Sequence, residues 1–569
     1  MDLEDFSKSE LIDLVKKLRS KKRYGIVWEN EKTREHFKSL ELNQVPILVE
    51  NQKNAIKNSK ESDSHLLIEG ENYLALTILK YTHKEKIDCI YIDPPYNKGS
   101  DFIYNDDYVD KEDSYRHSKW LSFMNKRLRL AKELLKEQGV IFISIDDTEH
   151  SKLRLLCEEI FGEKNIVGDI SVVNNLKGRS DEGFFATAHE YLIVCSKNKE
   201  KAELGGFPLD EEQVAEYDLE DEFGTYKLVG LQKTGKQSLR ADRPNMFYPI
   251  YWDESTGVVS LEKKKKSDTE ILPIFTNGAE GRWRWGKDTF NEKSKTELVV
   301  KKQKRGGIVY VKMRLNSEEN EERTRKPKSL WINPKYDSGS ATTALAKMFG
   351  EKVFDNPKPL AFLQDIFTIS TTKNSTVLDF FAGSGSTGEA ILRLNEQDDG
   401  SRKFILVTNN EEKICENVTY PRIKKVIKGY EDAQNNKIEG VKANLRHLKT
   451  EFINKSQNSD EMKIRLTEHI VDILKVKEDL FEPIDVKSDE YKVFGSKERL
   501  LAIYHSFDPS SLNKLQQEVE KLKALKTHLY IFSFDKEGFN QEDFDGWPNT
   551  DVIPIPQGLL EDLENFNVG

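Results

Sequence analysis

Ile87-Asp88-Cys89-Ile90-Tyr91-Ile92-Asp93-Pro94-Pro95-Tyr96 is an apolar, β-rich run that stops at an acid and two prolines. A short apolar run bounded by such a break reads as a buried strand. Its surroundings decide the class. Upstream, the strand-like run His65-Leu66-Leu67-Ile68 ends at Glu69-Gly70-Glu71-Asn72, and an amphipathic helix follows with Leu74, Leu76, Ile78 and Leu79. Downstream, a helical pattern from His117 to Gln138 is closed by Gly139. A further strand, Val140 to Ile145, leads to a helix from Ser151 to Phe161 that stops at Gly162. Strands alternating with helices predict a parallel sheet wrapped by helices, an α/β fold.

The residues that end the strand suggest a chemistry. An exocyclic amine on a planar base is a poor nucleophile because its lone pair is conjugated with the ring. Asp93 offers a carboxylate to one N–H, and the pair Pro94-Pro95 fixes φ and removes donors, so the turn is expected to present carbonyls to a pocket. Tyr96 offers a flat face on which a base stacks, worth roughly 1–3 kcal/mol. Asn97, Gly99 and Asp101 are expected to continue the loop over that pocket.

A second stretch lies almost three hundred residues later: Val377-Leu378-Asp379-Phe380-Phe381-Ala382-Gly383-Ser384-Gly385-Ser386-Thr387-Gly388. It reads as strand, glycine turn and helix. Gly383 and Gly385 let backbone approach a ligand closely. No Gly-Lys-Ser/Thr follows, which excludes a P-loop. Asp379 would repel a pyrophosphate but suits an ammonium group. A cofactor with an amino-acid tail and a nucleoside fits, and S-adenosyl-L-methionine has both.

The bulk composition sets bounds. Over 569 residues, 33% charged and 37% hydrophobic, no run approaches the ~20 apolar residues of a membrane span. The first residues, Met1-Asp2-Leu3-Glu4-Asp5, carry no basic or apolar signal-peptide pattern. Four separated cysteines without a CxxC pair predict neither a disulfide framework nor a metal site, and a reducing cytoplasm as the location. The net charge of −10 hides an asymmetry: residues 226–340 hold 25 Lys+Arg against 15 Asp+Glu, whereas residues 476–569 hold 10 against 19. A basic middle on an acidic chain suits contact with phosphates.

Five segments are expected. Residues 1–60 read as a polar helical segment and 61–165 as one half of the α/β core. In 166–345 the pattern loosens, with Trp283, Trp285 and Trp331 and a solvated turn at Lys263-Lys264-Lys265-Lys266. The α/β pattern resumes over 346–445, with a strand from Lys403 to Thr408. A C-terminal region, 446–569, contains strands (Leu500 to His505, His528 to Phe534), helices (Ser511 to Lys523, Leu559 to Phe566) and a boundary signal at Pro554-Ile555-Pro556.

Taken together, Asp-Pro-Pro-Tyr followed much later by Phe-x-Gly-Ser-Gly resembles the β-class amino-methyltransferases of DNA, and most closely the modification subunits of type III restriction–modification systems. Gly139 to Asp147, Arg402 to Val407 and Tyr420-Pro421-Arg422-Ile423 carry the same resemblance, which spans about residues 45 to 455. It implies a Rossmann-like, S-adenosylmethionine-dependent core with permuted motif order, an inserted target-recognition domain over 166–345, and a smaller C-terminal α/β domain for dimerisation or partner docking. It implies catalytic roles for Asp93 and Tyr96 in the Asp93-Pro94-Pro95-Tyr96 loop, and cofactor binding by Asp379, Phe381, Ala382, Gly383, Ser384 and Gly385. By the same resemblance Lys358, in Asn356-Pro357-Lys358-Pro359, meets the cofactor carboxylate, and Glu71 lies near its adenine. Thr408 stands where many relatives carry a glutamate for the ribose, which leaves that task to Asn410 or Glu411.

The implied function is transfer of a methyl group to adenine N6 in double-stranded DNA. The target base would flip out of the duplex, at a cost of a few kcal/mol. The protein would act as a homodimer with a restriction subunit carrying helicase and nuclease activities. The alternatives are an orphan adenine methyltransferase without that subunit, an N-methyltransferase of RNA or of a protein amide, and a non-catalytic DNA-binding subunit.

Overall fold

The computed structural model describes residues 28, 44–58, 64–99, 103–104, 107–110, 112–178, 184–303, 306–316, 322–456, 458–486, 488–506, 509–533, 539, 541–547 and 549–555. Its main sheet has ten strands: β1 (Gln44–Glu50), β2 (Ser64–Glu69), β3 (Ile87–Ile92), β4 (Leu135–Ile145), β5 (Ile166–Val173), β6 (His189–Ser196), β7 (Leu330–Ile332), β8 (Thr376–Asp379), β9 (Lys403–Thr408) and β10 (Asn444–Asn454). Their spatial order is β1-β10-β2-β9-β8-β3-β4-β6-β5-β7. The strand ending at Asp93 is near the centre, parallel to β8 on one side and β4 on the other. β9 and β2 continue the parallel run beyond β8, while β6 runs antiparallel to β4 and β5.

This order places a topological switch point between β8 and β3. From β8 the chain winds outward to β9; from β3 it winds the other way to β4. Doubly wound sheets bind ligands beyond the carboxyl ends of the strands at that crevice. Asp379 is the last residue of β8 and Asp93 the first after β3, so both expected loops emerge there.

The central strands are buried on both faces, which explains their continuous apolar runs: Ile87, Cys89, Ile90 and Ile92 are fully buried, as are Val377 and Leu378. Helices α1 (Asn72–His83), α2 (Arg116–Leu134) and α3 (His150–Phe161) cover part of the sheet. Their apolar faces join one core with the strands, through Leu76, Trp120, Leu128 and Leu156 among others. α2 stops at Leu134, four residues before the expected end, because Leu135 already pairs with Ile87 in the sheet.

Several boundaries differ from expectation. Gln44–Glu50, read as helical, is strand β1, paired along its length with β10; beyond it only a short 3-10 turn, Gln52–Asn54, is helical among the described residues of the expected N-terminal helix, and residues 1–43 other than Trp28 lie outside them. The loosened region does not begin at 166, since β5 and β6 extend the main sheet. The second compact unit is residues 206–327. Trp331 is not part of it: this indole packs on Tyr336 and Phe362 beside the main sheet. The unit itself is built on a four-stranded antiparallel sheet (Leu219–Asp221, Gly224–Gly230, Gly306–Arg314, Leu298–Gln303) and a core of Tyr248, Ile250, Trp252, Trp283 and Phe290. Lys263 to Lys266 form an exposed turn, with the Lys264 and Lys265 amides bonded to Asp268.

The C-terminal region does not separate at 446, because β10 runs to Asn454 within the main sheet. Helix α4 (Ser459–Glu478) packs on β1 and α1, and a five-stranded sheet over residues 483–555 shares the main core through Phe494, Leu501 and Tyr530. The expected boundary at Pro554-Ile555-Pro556 is instead the end of edge strand Thr550–Ile555, where a proline costs no ladder bond on the open side. The expected helix Leu559 to Phe566 lies outside the described residues. Among the described residues, no helix is long and apolar enough to cross a membrane.

Candidate active site

The Asp93 loop forms a closed polar cluster. The Tyr96 hydroxyl donates to Asp93 Oδ1 at 2.8 Å and lies 3.2 Å from Glu190 Oε2. Lys358 Nζ donates to the Tyr96 hydroxyl at 2.8 Å and to both Glu190 oxygens at 2.8 Å, and it approaches Asp93 Oδ1 at 3.3 Å. Both contacts to Asp93 fall on Oδ1; its Oδ2 has no partner among the described residues. Burial lifts the Asp93 carboxyl above its usual range; Lys358 opposes this and Glu190 reinforces it. For Lys358, burial works against the ammonium, but Asp93 and Glu190 outweigh it and hold the proton more tightly than usual.

Lys358 therefore sits with the Asp93 loop, where the resemblance implied a contact to the cofactor carboxylate. Glu190 was not expected at all. It is the second residue of β6 and is buried, 7% exposed. Of the proline pair, Pro95 departs from the expected arrangement. The Pro95 carbonyl is turned inward and accepts the Trp120 indole N–H at 2.7 Å. Asn97 does not cover a pocket: it is fully buried in a left-handed conformation, and its amide donates to Glu149 at 2.6 Å. Asp101 lies outside the described residues.

The glycine turn is organised around Asp379. Its Oδ1 accepts the Phe381 amide at 2.9 Å and its Oδ2 the Thr387 hydroxyl at 2.6 Å. Burial pushes this carboxyl up to about 7, against those two hydrogen bonds. Gly383 and Gly385 adopt φ of 46° and 78°, a region where a side chain strains the backbone. A Cβ on Gly385 would also come 3.2 Å from Thr419, whose hydroxyl holds the Gly383 carbonyl at 2.6 Å. Arg422 Nη1 fixes the Ser384 and Ser386 hydroxyls at 3.0 and 2.8 Å. Ala382 and Ser384 are buried, and Phe381 is half-buried.

Helix α2 ties the two loops together. Trp120, Phe123 and Arg127 recur at spacings of three and four and so share one face. Trp120 holds Pro95, Phe123 packs on Phe381 with ring centroids 5.8 Å apart, and Arg127 bonds Glu71 Oε1 at 2.5 Å and Asn72 Oδ1 at 2.6 Å. Asn72 in turn donates to the Phe380 carbonyl at 2.9 Å. Glu71 caps α1 through the Leu74 amide. Asn410 accepts the Glu416 amide at 3.1 Å, in the turn after β9.

The residues fit the expected cofactor. A buried carboxylate with no cationic partner among the described residues suits an ammonium, and a glycine turn suits close backbone approach; Glu71 and Asn410 offer further acceptors near the ends of β2 and β9. A different cluster escaped the cysteine spacing: Cys415, His447 and Glu69 converge from distant segments, close enough to surround a metal ion. Their polar atoms are already engaged, His447 Nε2 with Glu69 at 3.1 Å, His447 Nδ1 with Asn54 at 2.9 Å, and Glu69 with Lys449 at 2.8 Å.

Comparison with known proteins agrees with this geometry. A DNA methylase family of N6 and N4 enzymes matches residues 87–420, more than half of the chain. The Type II methyltransferase M.KpnI of Klebsiella pneumoniae is 42% identical over 353 residues, 62% of this chain and 82% of the relative. The EcoPI Mod subunit of Escherichia phage P1, a type III restriction–modification enzyme, is 39% identical over 393 residues, 64% of this chain. The chain spans 60% of that subunit's length and 61% of the EcoP15I Mod subunit of Escherichia coli. Among solved structures, the PvuII cytosine-N4-specific DNA methyltransferase aligns over 65% of this chain and 93% of its own at 12% identity, with a TM-score of 0.32. The family match, which runs through both loops, and the 42% identity to a relative covered over 82% of its length show that this chain belongs to the DNA methylase family.

Proposed function

We propose that this protein methylates adenine N6 in double-stranded DNA with S-adenosyl-L-methionine, as the modification and recognition subunit of a type III restriction–modification system. The observation that carries the reading is the pairing of two different aspartates at one crevice: Asp93, wired to Tyr96, Lys358 and Glu190, and Asp379, buried beside a glycine turn. The resemblance of Asp93-Pro94-Pro95-Tyr96 supports adenine as the target, and relatives named as type III Mod subunits support the assembly.

The cofactor supplies an electrophilic methyl group on a sulfonium. Asp379 receives its ammonium end, and the Gly383–Gly385 turn lets backbone close around it. The flipped adenine stacks on Tyr96 and donates one N6 hydrogen to Asp93 Oδ2, the oxygen that Tyr96 and Lys358 leave open. That bond turns the amine lone pair out of conjugation and towards the methyl carbon. With the cofactor bound, methyl transfer would leave N6 cationic, and Asp93 would take the proton it sheds. Lys358 alone would make Asp93 a weak base. Glu190 shares the lysine charge and so keeps Asp93 able to accept that proton. Glu190 is a positioning residue in this scheme.

The second unit, residues 206–327, is the candidate for target recognition: its part from 226 to 327 holds 23 Lys+Arg against 14 Asp+Glu, with lysines meeting phosphates and Arg, Asn and Gln reading base edges. The protein would act as a homodimer in the cytoplasm, with a restriction subunit as partner. Single-molecule sequencing of DNA from cells with and without this gene tests the reading. The expected result is N6-methyladenine in one sequence context, present only with the gene; unmodified adenine in both samples overturns it.

A further inference from the structure

The two most exposed large apolar side chains among the described residues are neighbours. Phe184 is 97% and Phe185 86% exposed, and the next in rank, Leu525, reaches 75%. Leu176, on the opposite arm of the same hairpin, is 60% exposed. An aromatic pair held in water is costly and marks a contact surface. The hairpin joins β5 to β6, and its base is fixed. Val173 pairs with His189, the Asn174 and Asn175 amides both donate to the Ala188 carbonyl, and Gly178 lies against Ala186.

Continuity with the candidate active site says what covers this surface. The arm that carries Phe184 and Phe185 runs directly into β6, whose second residue, Glu190, holds Tyr96 and Lys358. Glu190 lies five positions after Phe185, a reach of at most about 17 Å in an extended strand. That is about five stacked base pairs at 3.4 Å each. The hairpin is therefore within reach of the duplex around any base seated on Tyr96. The chemistry also selects the occupant. Phenylalanine rings have no donors or acceptors with which to read a base edge, but they stack on any base and pry open a base step. Lys177, exposed on the same hairpin, suits an adjoining phosphate.

We propose that Phe184 and Phe185 form a wedge that enters the DNA base stack where the target adenine leaves it. The inference rests on the DNA-methylation reading above and adds the device that keeps the base out. Extrusion breaks the stacking on both faces of the adenine, and the two rings replace it.

The test uses the full chain with both phenylalanines replaced, Phe184→Ala and Phe185→Ala. Because both are solvent-exposed, their loss leaves the core intact. Two duplexes carry the methylated sequence found by sequencing: one fully paired, one with an abasic site opposite the target adenine, which lowers the cost of extrusion. The expected result is single-turnover methylation roughly tenfold to hundredfold slower on the paired duplex, and within about twofold of wild type on the abasic one. Placing 2-aminopurine at the target position should give a fluorescence rise with wild type and a smaller one with the variant. Equal rates on the paired duplex, or an equal loss on both duplexes, overturn the wedge. So does a change in the sedimentation of the protein alone with methylation per protomer unchanged, which would make the hairpin a contact between copies. A wild-type protein that methylates no DNA overturns the underlying reading instead, and is told apart because the wild type itself fails.

Discussion

The loops after β3 and after β8 occupy equivalent places, each at the carboxyl end of a central parallel strand and each led by an aspartate, yet their surroundings differ. Asp93 is surrounded by a tyrosine, a lysine and a second carboxylate, and keeps one oxygen without a partner among the described residues. Asp379 is 2% exposed and has, among the described residues, a hydroxyl and a backbone amide as its partners. In the proposed reaction the first arrangement would tune a base, because the nearby charges set how readily the carboxylate takes a proton. The second is suited to a cation, because burial without a counter-charge makes the carboxylate costly until one arrives. One fold position thus serves two chemistries, and the neighbours decide which.

The sharpest way to break this contrast is to remove each acid in turn. Asp93→Ala should lower single-turnover methyl transfer by at least about a thousandfold while leaving DNA binding nearly unchanged. Unaltered turnover would remove Asp93 from the chemistry. Asp379→Asn should instead weaken binding of S-adenosylmethionine roughly tenfold to hundredfold, the value of a charged hydrogen bond, as read by calorimetry. If the two variants lost the same parameter, the division of labour would fail.

The pH response should separate the loops again. Asp379 titrates at about 7 in the folded protein, so cofactor affinity should rise as pH increases through that value, and Asp379→Asn should abolish the dependence. The sign for stability is opposite. The folded chain holds this proton up to about pH 7, whereas the unfolded chain releases it near pH 4. The native state binds more protons across that window, so this group's contribution to stability falls as pH rises through it. Urea unfolding of wild type against Asp379→Asn at pH 5 and pH 8 measures the difference.

At the Asp93 loop, Glu190→Gln should move the acid limb of the methylation pH profile to lower pH and reduce the plateau rate. Without Glu190, Lys358 acts on Asp93 alone and lowers its affinity for a proton. Lys358→Met should move that limb upward. The smallest expected effect belongs to the helix that joins the loops. Trp120→Phe strands the Pro95 carbonyl and should cost about 1–3 kcal/mol of stability by denaturant titration. Equal limbs in the two charge variants would refute the tuning role of Glu190.

Much of this was legible in sequence, for identifiable reasons. Ile87 to Ile92 and Lys403 to Thr408 are strands at the expected bounds, because buried parallel strands leave unbroken apolar runs. The two aspartate loops were legible because proline and glycine punctuate the chain where strands end. Glu190, Trp120 and Arg127 were not, since each acts on a residue 56 to 168 positions away or 25 positions away across a helix face, and no local pattern marks such a partner. The strand Gln44–Glu50 was read as helix because a polar N-terminal context masked a seven-residue strand whose partner among the described residues, β10, comes some four hundred residues later. The Cys415–His447–Glu69 cluster escaped for the same reason: two strand positions and the start of a helical segment, far apart in the chain, meet only in the fold.

The central claim is that the two aspartate loops act on one base. It is tested most directly by incubating the full chain with isotopically labelled S-adenosylmethionine and unmethylated genomic DNA, then digesting the DNA and identifying the labelled nucleoside by mass spectrometry. The account predicts label in N6-methyldeoxyadenosine with wild type and none with Asp93→Ala. Label in N4-methyldeoxycytidine, or in the protein instead of the DNA, would contradict it.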